Sequence, residues 1–188
     1  MRESDEALMV RAGRGDRSAC QQLVERHLGR VIAFAQRTLG SRSDAEDVAQ
    51  DVFVRVWTAA PRWKHDSARF STWLYRVAMN VCLDRIAKRR EVSSDGIPEM
   101  ADPQADPSAI VHANEVGQRV AAALAELPEK QRIALTLCHY QDMGNRDAAE
   151  VMELSVEALE SLLARGRRTL KERLRALAPG TPEKASAR

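Results

Sequence analysis

The sequence predicts an all-α fold of two small helical domains joined by a flexible acidic linker. Three observations predict it. Ala, Leu, Arg and Glu dominate a chain poor in strand formers, in which 44% of residues are hydrophobic and 30% charged, a balance that suits soluble helical proteins. Apolar residues recur at helical three- and four-residue spacing on both sides of one interruption. Charge is partitioned: Lys and Arg against Asp and Glu number 17 to 11 over residues 1–90, 0 to 6 over 91–115, and 12 to 10 over 116–188.

The interruption is "EVSSDGIPEMADPQADPSAI", which holds Pro98, Pro103 and Pro107 and no sustained helical period. Proline-stiffened, self-repelling chain of this kind suits a tether between modules, and loops of this length are rare inside compact domains. The expected organisation is therefore a domain over 1–90, an acidic linker over 91–115, a second domain over 116–178 and a disordered tail over 179–188.

In the first domain, "DEALMVRAGRG" reads as a short helix ended by Gly13 and Gly15, and "RSACQQLVERHLGRVIAFAQRTLG" as a long one ended by Gly40. Leu23, His27, Arg30, Phe34 and Leu39 approximate the apolar row of the long helix. The third helix, "SRSDAEDVAQDVFVRVW", has Ser43 as its expected cap and acids in its first turn, where they oppose the positive end of the helix dipole. Its expected buried stripe is Ala45, Val48, Ala49, Val52, Phe53, Val56 and Trp57. Asp44, Asp47, Gln50, Asp51 and Arg55 fall on the other side, either a solvated face or a contact surface.

"AAPRWKHDSARF" breaks the helical pattern at Pro61, and "FSTWLYRVAMNVCLDRIAKRR" restarts it with Ser71 or Thr72 as the expected cap. Six of the eight Phe, Trp and Tyr residues lie between positions 53 and 75, interleaved with Arg62, Lys64, His65 and Arg69. Rings stack on unpaired bases while cations follow phosphates, so this composition suits single-stranded nucleic acid. At 100° per residue Leu74, Val77, Ala78 and Val81 share one side of the helix, and Trp73, Arg76, Asn80 and Asp84 share another. Asn80 is a weak helix former at mid-helix: either it faces solvent, or its amide, with donors and an acceptor, reads a base edge. Lys88, Arg89 and Arg90 extend the basic end toward phosphates.

The second domain reads as four helices: "VGQRVAAALAEL", "PEKQRIALTLCHY" opened by Pro128, "NRDAAEVM", and "SVEALESLLARGRRTLKERLRAL". The last pair, a short helix and a long one separated by a tight break, has the proportions of a helix-turn-helix. Ala148, Ala149 and Met152 are expected to pack on Val156, Leu159 and Leu163, with Asn145 and Ser155 as caps. Arg165, Arg167, Arg168, Lys171, Arg173 and Arg175 follow on the long helix, either as a solvated end or against DNA phosphates.

Other functions find little support. Cys20, Cys82 and Cys138 lie about sixty residues apart without metal-ligand spacing, and are expected as buried reduced thiols. No nucleophile–base pair, phosphate loop or metal cluster is visible, so an enzyme is not expected, and neither is a cofactor or a metal site. No apolar run approaches the roughly 18–20 residues that span a bilayer, and "MRESDEALMVRAG" lacks a signal-peptide core. A cytoplasmic protein with no membrane insertion is expected.

"DAEDVAQDVFVRVW", "FSTWLYRVAMN", "LPEKQRIALTL" and "AAEVMELSVEALESLLARGRRTLKERL" together resemble, in order and spacing, the extracytoplasmic-function group of sigma-70 family initiation factors over about residues 5–176. The resemblance implies two domains that bind core RNA polymerase and promoter DNA, both duplex and single-stranded. Asp44, Asp47, Gln50, Asp51 and Arg55 would dock on the clamp helices of the β′ subunit. Trp63, Lys64, Arg69, Trp73, Arg76 and Asn80 would hold an unstacked base of the minus-ten element, with Lys88 and Arg89 on phosphates. The helix-turn-helix would read the minus-thirty-five element with Ser155, Glu157, Glu160, Ser161, Arg165, Arg167 and Arg168, and would meet the β flap. The acidic linker would thread near the polymerase active-site and RNA-exit channels. An anti-sigma partner and a stress regulon are also implied. The sequence departs from the family pattern at Glu153, where a turn glycine is frequent, and at Glu157, Glu160 and Leu162, where small and basic residues are common.

Overall fold

The computed structural model describes residues 3–64, 69–94 and 115–176 of the 188-residue chain. His65, most of the expected linker (95–114) and the expected tail lie outside the described residues. Eight α-helices, and no strand among the described residues, make up the fold: α1 (Asp5–Gly13), α2 (Arg17–Leu39), α3 (Arg42–Ala59), α4 (Phe70–Ser94), α5 (Glu115–Ala125), α6 (Glu129–Leu135), α7 (Asn145–Val151) and α8 (Val156–Ala176). A 3₁₀ turn over Ala60–Arg62 follows α3, and a turn of π-helix over Thr136–Tyr140 follows α6.

Helices α1 to α4 enclose one apolar core. Its fully buried centre holds Leu8 and Met9 of α1, Leu23, Val31 and Phe34 of α2, Val48 and Val52 of α3, and Phe70 and Leu74 of α4. The expected stripe of α3 is buried throughout except Trp57, which is half-buried. In α2 the buried row is Ala19, Leu23, His27, Val31, Phe34, Ala35 and Thr38. Arg30, expected within that row, is exposed, and Leu39 is half-buried.

The helix starts differ from the sequence reading in instructive ways. Ser41, not Ser43, caps α3, its side chain accepting from the Asp44 amide at 3.3 Å. Neither Ser71 nor Thr72 caps α4: the helix begins at Phe70, whose amide donates to Glu6 Oε1 of α1 at 3.0 Å. Thr72 is buried. That backbone bond from Phe70 holds the Glu6 carboxyl below its ordinary range, so the cap carries negative charge at the positive end of the α4 dipole. Beside it, burial pushes the Asp5 carboxyl upward, but hydrogen bonds from His27 (2.7 Å) and Arg26 (2.8 Å) leave it lowered on balance. The short α1 is thus a strut, fixing where α4 starts.

Helices α5 to α8 pack around Ala123, Leu124, Leu127, Ile133, Leu135, Leu137, Ala148, Ala149, Val151, Leu159 and Leu163. Pro128 sits at the cap position before α6 rather than in its first turn. Gly166 lies where α8 crosses α6, and a Cβ there would meet Leu135 Cδ1 at 3.0 Å. Of the expected helix-turn-helix contacts, Ala148, Ala149, Leu159 and Leu163 are buried and Met152 and Val156 half-buried. Ser155 caps α8, accepting from the Ala158 amide at 3.2 Å. Asn145 is not a cap: it stands inside α7 and donates from Nδ2 to Glu160 Oε1 at 3.2 Å, bracing α7 against α8.

Candidate nucleic-acid and polymerase interfaces

The end of α3, the 3₁₀ turn and the start of α4 enclose an open cleft of about 600 Å³ lined by Arg55, Thr58, Ala59, Arg62, Trp63, Lys64 and Trp73. Its size lies within the range of small-ligand sites. Pro61 in the 3₁₀ turn redirects the chain so that Arg62, Trp63 and Lys64 leave the helix together. The Trp63 and Trp73 rings meet edge to face at 5.2 Å, and both rest on Phe70 at 6.0 Å. The Trp63 Nε1–H is buried with no hydrogen-bond partner among the described residues, and such a group in a native fold calls for an explanation.

The aromatic concentration therefore divides. Phe53, Phe70 and Tyr75 are core residues at 6%, 0% and 3% exposure, so they cannot stack on bases. Among the described residues only Trp63 and Trp73 of the aromatic cluster border the cleft, and half-buried Trp57 lies tilted against Phe53 at 5.8 Å. Along α4, Asn80 is exposed and its amide takes no partner among the described residues. Arg76, one turn earlier on the same face, is about one-third exposed and engaged by α7, as Arg69 is by Asp147 at 3.2 Å. Lys88 is exposed, whereas Arg89 is half-buried and bonded to Asp44.

The outer face of α3 is reduced at one end. Asp44 accepts from both Arg85 and Arg89 of α4, and Asp47 accepts from Arg85 at 3.2 Å. Asp47, Gln50, Asp51 and Arg55 remain exposed, with Arg55 3.7 Å from Asp84. The sequence reading missed Val54, 61% exposed in the middle of this face. Its signal was available, because Val54 falls outside the buried spacing of Val52, Phe53 and Val56. Arg62, read from the sequence among the cations beside the aromatic cluster, lines the cleft with Lys64.

On the helix-turn-helix, Ser155, Glu157, Glu160, Ser161, Arg165, Arg167 and Arg168 are all exposed along α8. The Glu157 carboxyl is lowered by its own backbone amide and by Ser155, and stays ionised at the helix N-terminus. Glu153, at the turn, adopts φ 54°, so the turn keeps the left-handed geometry that glycine would supply more easily. Glu153→Gly is accordingly expected to stabilise the chain by about 1 kcal/mol, read as a higher urea midpoint.

The cysteines are free: Cys82 is buried, and Cys20 and Cys138 are half-buried. Burial pushes the Cys82 thiol up to about 12, and raises that of Cys138, which disfavours the reactive thiolate. Among the described residues no group of three or more His, Cys, Asp or Glu could hold a metal ion, and no helix is long and apolar enough to cross a membrane.

Two helical domains, one with an aromatic–cationic cleft and the other a basic helix-turn-helix, define a DNA-reading transcription protein. Residues 23–92 match sigma-70 region 2, and residues 117–170 match sigma-70 region 4. The RNA polymerase sigma-H factor of Pseudomonas aeruginosa is 30% identical over 186 residues, covering 93% of this chain and 96% of that one. The extracytoplasmic-function sigma factor SigE of Mycolicibacterium smegmatis is also 30% identical, over 85% of this chain and 64% of its own greater length. Among solved structures, CnrH in complex with the cytosolic domain of CnrY has 31% identity and a TM-score of 0.69, covering 94% of this chain and 100% of CnrH. The sigma factor RpoE in complex with the anti-sigma factor NepR, from Bartonella quintana, has 26% identity and a TM-score of 0.65, with coverages of 82% and 96%. The chain belongs to the extracytoplasmic-function group of sigma-70 family RNA polymerase sigma factors.

Proposed function

We propose that the chain binds core RNA polymerase through the exposed face of α3 and reads promoter DNA through two separate surfaces. One unpaired base of the minus-ten element enters the cleft that Trp63 and Trp73 border together. Arg62 and Lys64 attract phosphates there, and Asn80 reads a neighbouring edge. Arg69, Arg76 and Lys88 follow the backbone once DNA is bound. Arg89 adds less than its charge suggests, because Asp44 already holds it. Strand separation is driven by capture of the base rather than by chemistry of the protein's own.

The helix-turn-helix takes the minus-thirty-five element in duplex form, with Arg165, Arg167 and Arg168 on phosphates. Glu157 and Glu160 are suited to accept from cytosine N4, and Ser155 and Ser161 flank them on the same helix. Residues 1–90 and 116–178 are the two working modules, 91–115 the tether near the active-site and exit channels, and 179–188 a tail. The β flap is the second polymerase contact. Control by an anti-sigma factor is supported by a structural relative bound to one, and the cytoplasm is the compartment in which these partners meet.

The cleft carries this reading, since it places two rings and three cations at one opening. Transcription in vitro with purified core polymerase tests it: promoter-specific transcripts are expected, and their absence without an inhibitor would exclude the reading. Asp51→Arg should weaken core affinity at least severalfold, as like charge replaces complementary charge. An affinity unchanged from wild type would return the α3 face to mere solvation.

A further inference from the structure

Near the start of α8, where a recognition helix meets base edges, the chain carries two acids in different situations. The Glu157 carboxylate is committed to the helix end, held by its own backbone amide and by Ser155. Glu160, the next acid along the helix and also exposed, is held from outside it: Asn145 of α7 donates from Nδ2 to Glu160 Oε1 at 3.2 Å. The second oxygen of Glu160 has no partner among the described residues.

The direction of that bond is fixed. A carboxylate only accepts, so the Asn145 amide must turn its nitrogen to Glu160 and its oxygen the other way. On that other side Cys138, in the π-helical turn after α6, supplies a donor, its Sγ 3.9 Å from Asn145 Oδ1. Burial raises the Cys138 thiol, against the pull of Arg167, and so keeps it protonated. Three successive elements thus contribute one directed line of hydrogen bonds that ends on a single carboxylate in the exposed face of α8.

Tethering has a consequence for reading DNA. An exposed glutamate samples many rotamers and loses that freedom on binding, whereas one tied at Oε1 has lost much of it beforehand. The oxygen left over can accept and cannot donate. In the major groove thymine O4 and guanine O6 and N7 are acceptors and repel it, adenine sets an N7 acceptor beside its donor, and cytosine N4 offers a donor without that neighbour. Arg165, Arg167 and Arg168, exposed farther along α8, offset the repulsion between the acid and the phosphates.

We propose that Glu160 is the specificity-determining acid of the minus-thirty-five reader, selecting a C·G pair at one position, and that Asn145 is its positioning residue, with Cys138 fixing the orientation of the amide. This assignment rests on the promoter reading above and narrows its two candidate acids to one.

Holoenzyme reconstituted from the full chain and core polymerase is incubated with duplex DNA randomised over both promoter elements, and the bound DNA is sequenced. Wild type should enrich a C·G pair by about fivefold or more at one minus-thirty-five position, the discrimination of a single base contact. Glu160→Gln should lose that enrichment and leave the other positions unchanged. Asn145→Asp keeps the shape of the side chain but sets a second acceptor against the carboxylate, and should lose about as much at the same position. Asn145→Ala, which leaves Glu160 untied, should lower the enrichment about twofold or more. Should Asn145→Asp fold poorly by its urea midpoint, Asn145→Ala and Glu160→Gln carry the same test, since both positions are exposed. If Asn145 only braces α7 against α8, its variants bind every sequence more weakly and keep the base preference; that pattern overturns the positioning role. A wild-type element without a C·G position sensitive to Glu160 overturns the whole assignment. Wild-type holoenzyme that enriches no sequence at either element refutes the promoter reading itself, a separate outcome.

Discussion

Replacing Trp73 by alanine should cut open-complex formation at a cognate promoter by about 5- to 150-fold, the range set by losing one base–aromatic stack of roughly 1–3 kcal/mol. The ring lines the cleft and meets Trp63 edge to face at 5.2 Å, so its loss removes one wall and frees the other to move. Affinity for core polymerase should stay within about twofold, because the exposed acids of α3 are untouched. Trp73→Phe separates stacking from packing: it keeps a π-face on Phe70 and should recover most of the activity. Asn80→Ala, which alters no packing since Asn80 is exposed, should give a smaller loss confined to opening and to base preference. Potassium permanganate footprinting of the melted bubble measures both variants. Normal melting by Trp73→Ala would remove the cleft from the reader.

The sequence made some of this legible and hid the rest for identifiable reasons. The stripe of α3 and the packing pair of the helix-turn-helix follow from helical spacing alone, because burial within an element is a local, periodic property. Capping by Glu6 was invisible because it comes from a residue 64 positions away, and sequence scanning looks for caps next to the helix they serve. Composition overstated the aromatic site for a related reason. Clustering along the chain does not say which rings point inward, and Phe53, Phe70 and Tyr75 do.

Asp44 and Gln141 show the same limit for polar groups. On a helical projection Asp44 belongs with Asp47 and Asp51, yet α4 crosses near the start of α3 and brings Arg85 and Arg89 to it. Gln141, in a turn without periodic pattern, gave no signal at all, although burial pushes its partner Tyr75 up to about 12 and so keeps that hydroxyl a donor. Surface charge read from sequence is thus an upper bound on the charge left for partners. In this chain the discount falls most heavily on Asp44, Arg69, Arg76 and Arg89.

Gly13→Ala should destabilise the N-terminal domain by about 2–4 kcal/mol, although it adds a single methyl group. Read along the sequence, Gly13 and Gly15 look like one helix-ending pair, but they do different work. Gly15 takes φ 86° and has open space around it, so alanine there should cost only the conformational term, about 1 kcal/mol. Gly13 is not left-handed; a Cβ on it would lie 2.3 Å from the Ala60 carbonyl oxygen and 2.7 Å from its carbon. Both are backbone atoms of the 3₁₀ turn, so either α1 or the turn must retreat. A nine-residue helix has little stability of its own, and if α1 withdraws, Leu8 and Met9 lose burial and the Phe70 amide loses Glu6. If the turn withdraws, Arg62 and Trp63 move with it and the cleft opens. Trp57, Trp63 and Trp73 are the only tryptophans and all lie in this half of the chain, so urea unfolding followed by tryptophan fluorescence reports this domain selectively. A Gly13→Ala midpoint no lower than that of Gly15→Ala would show that α1 does not hold the turn, and would free the cleft geometry from this strut.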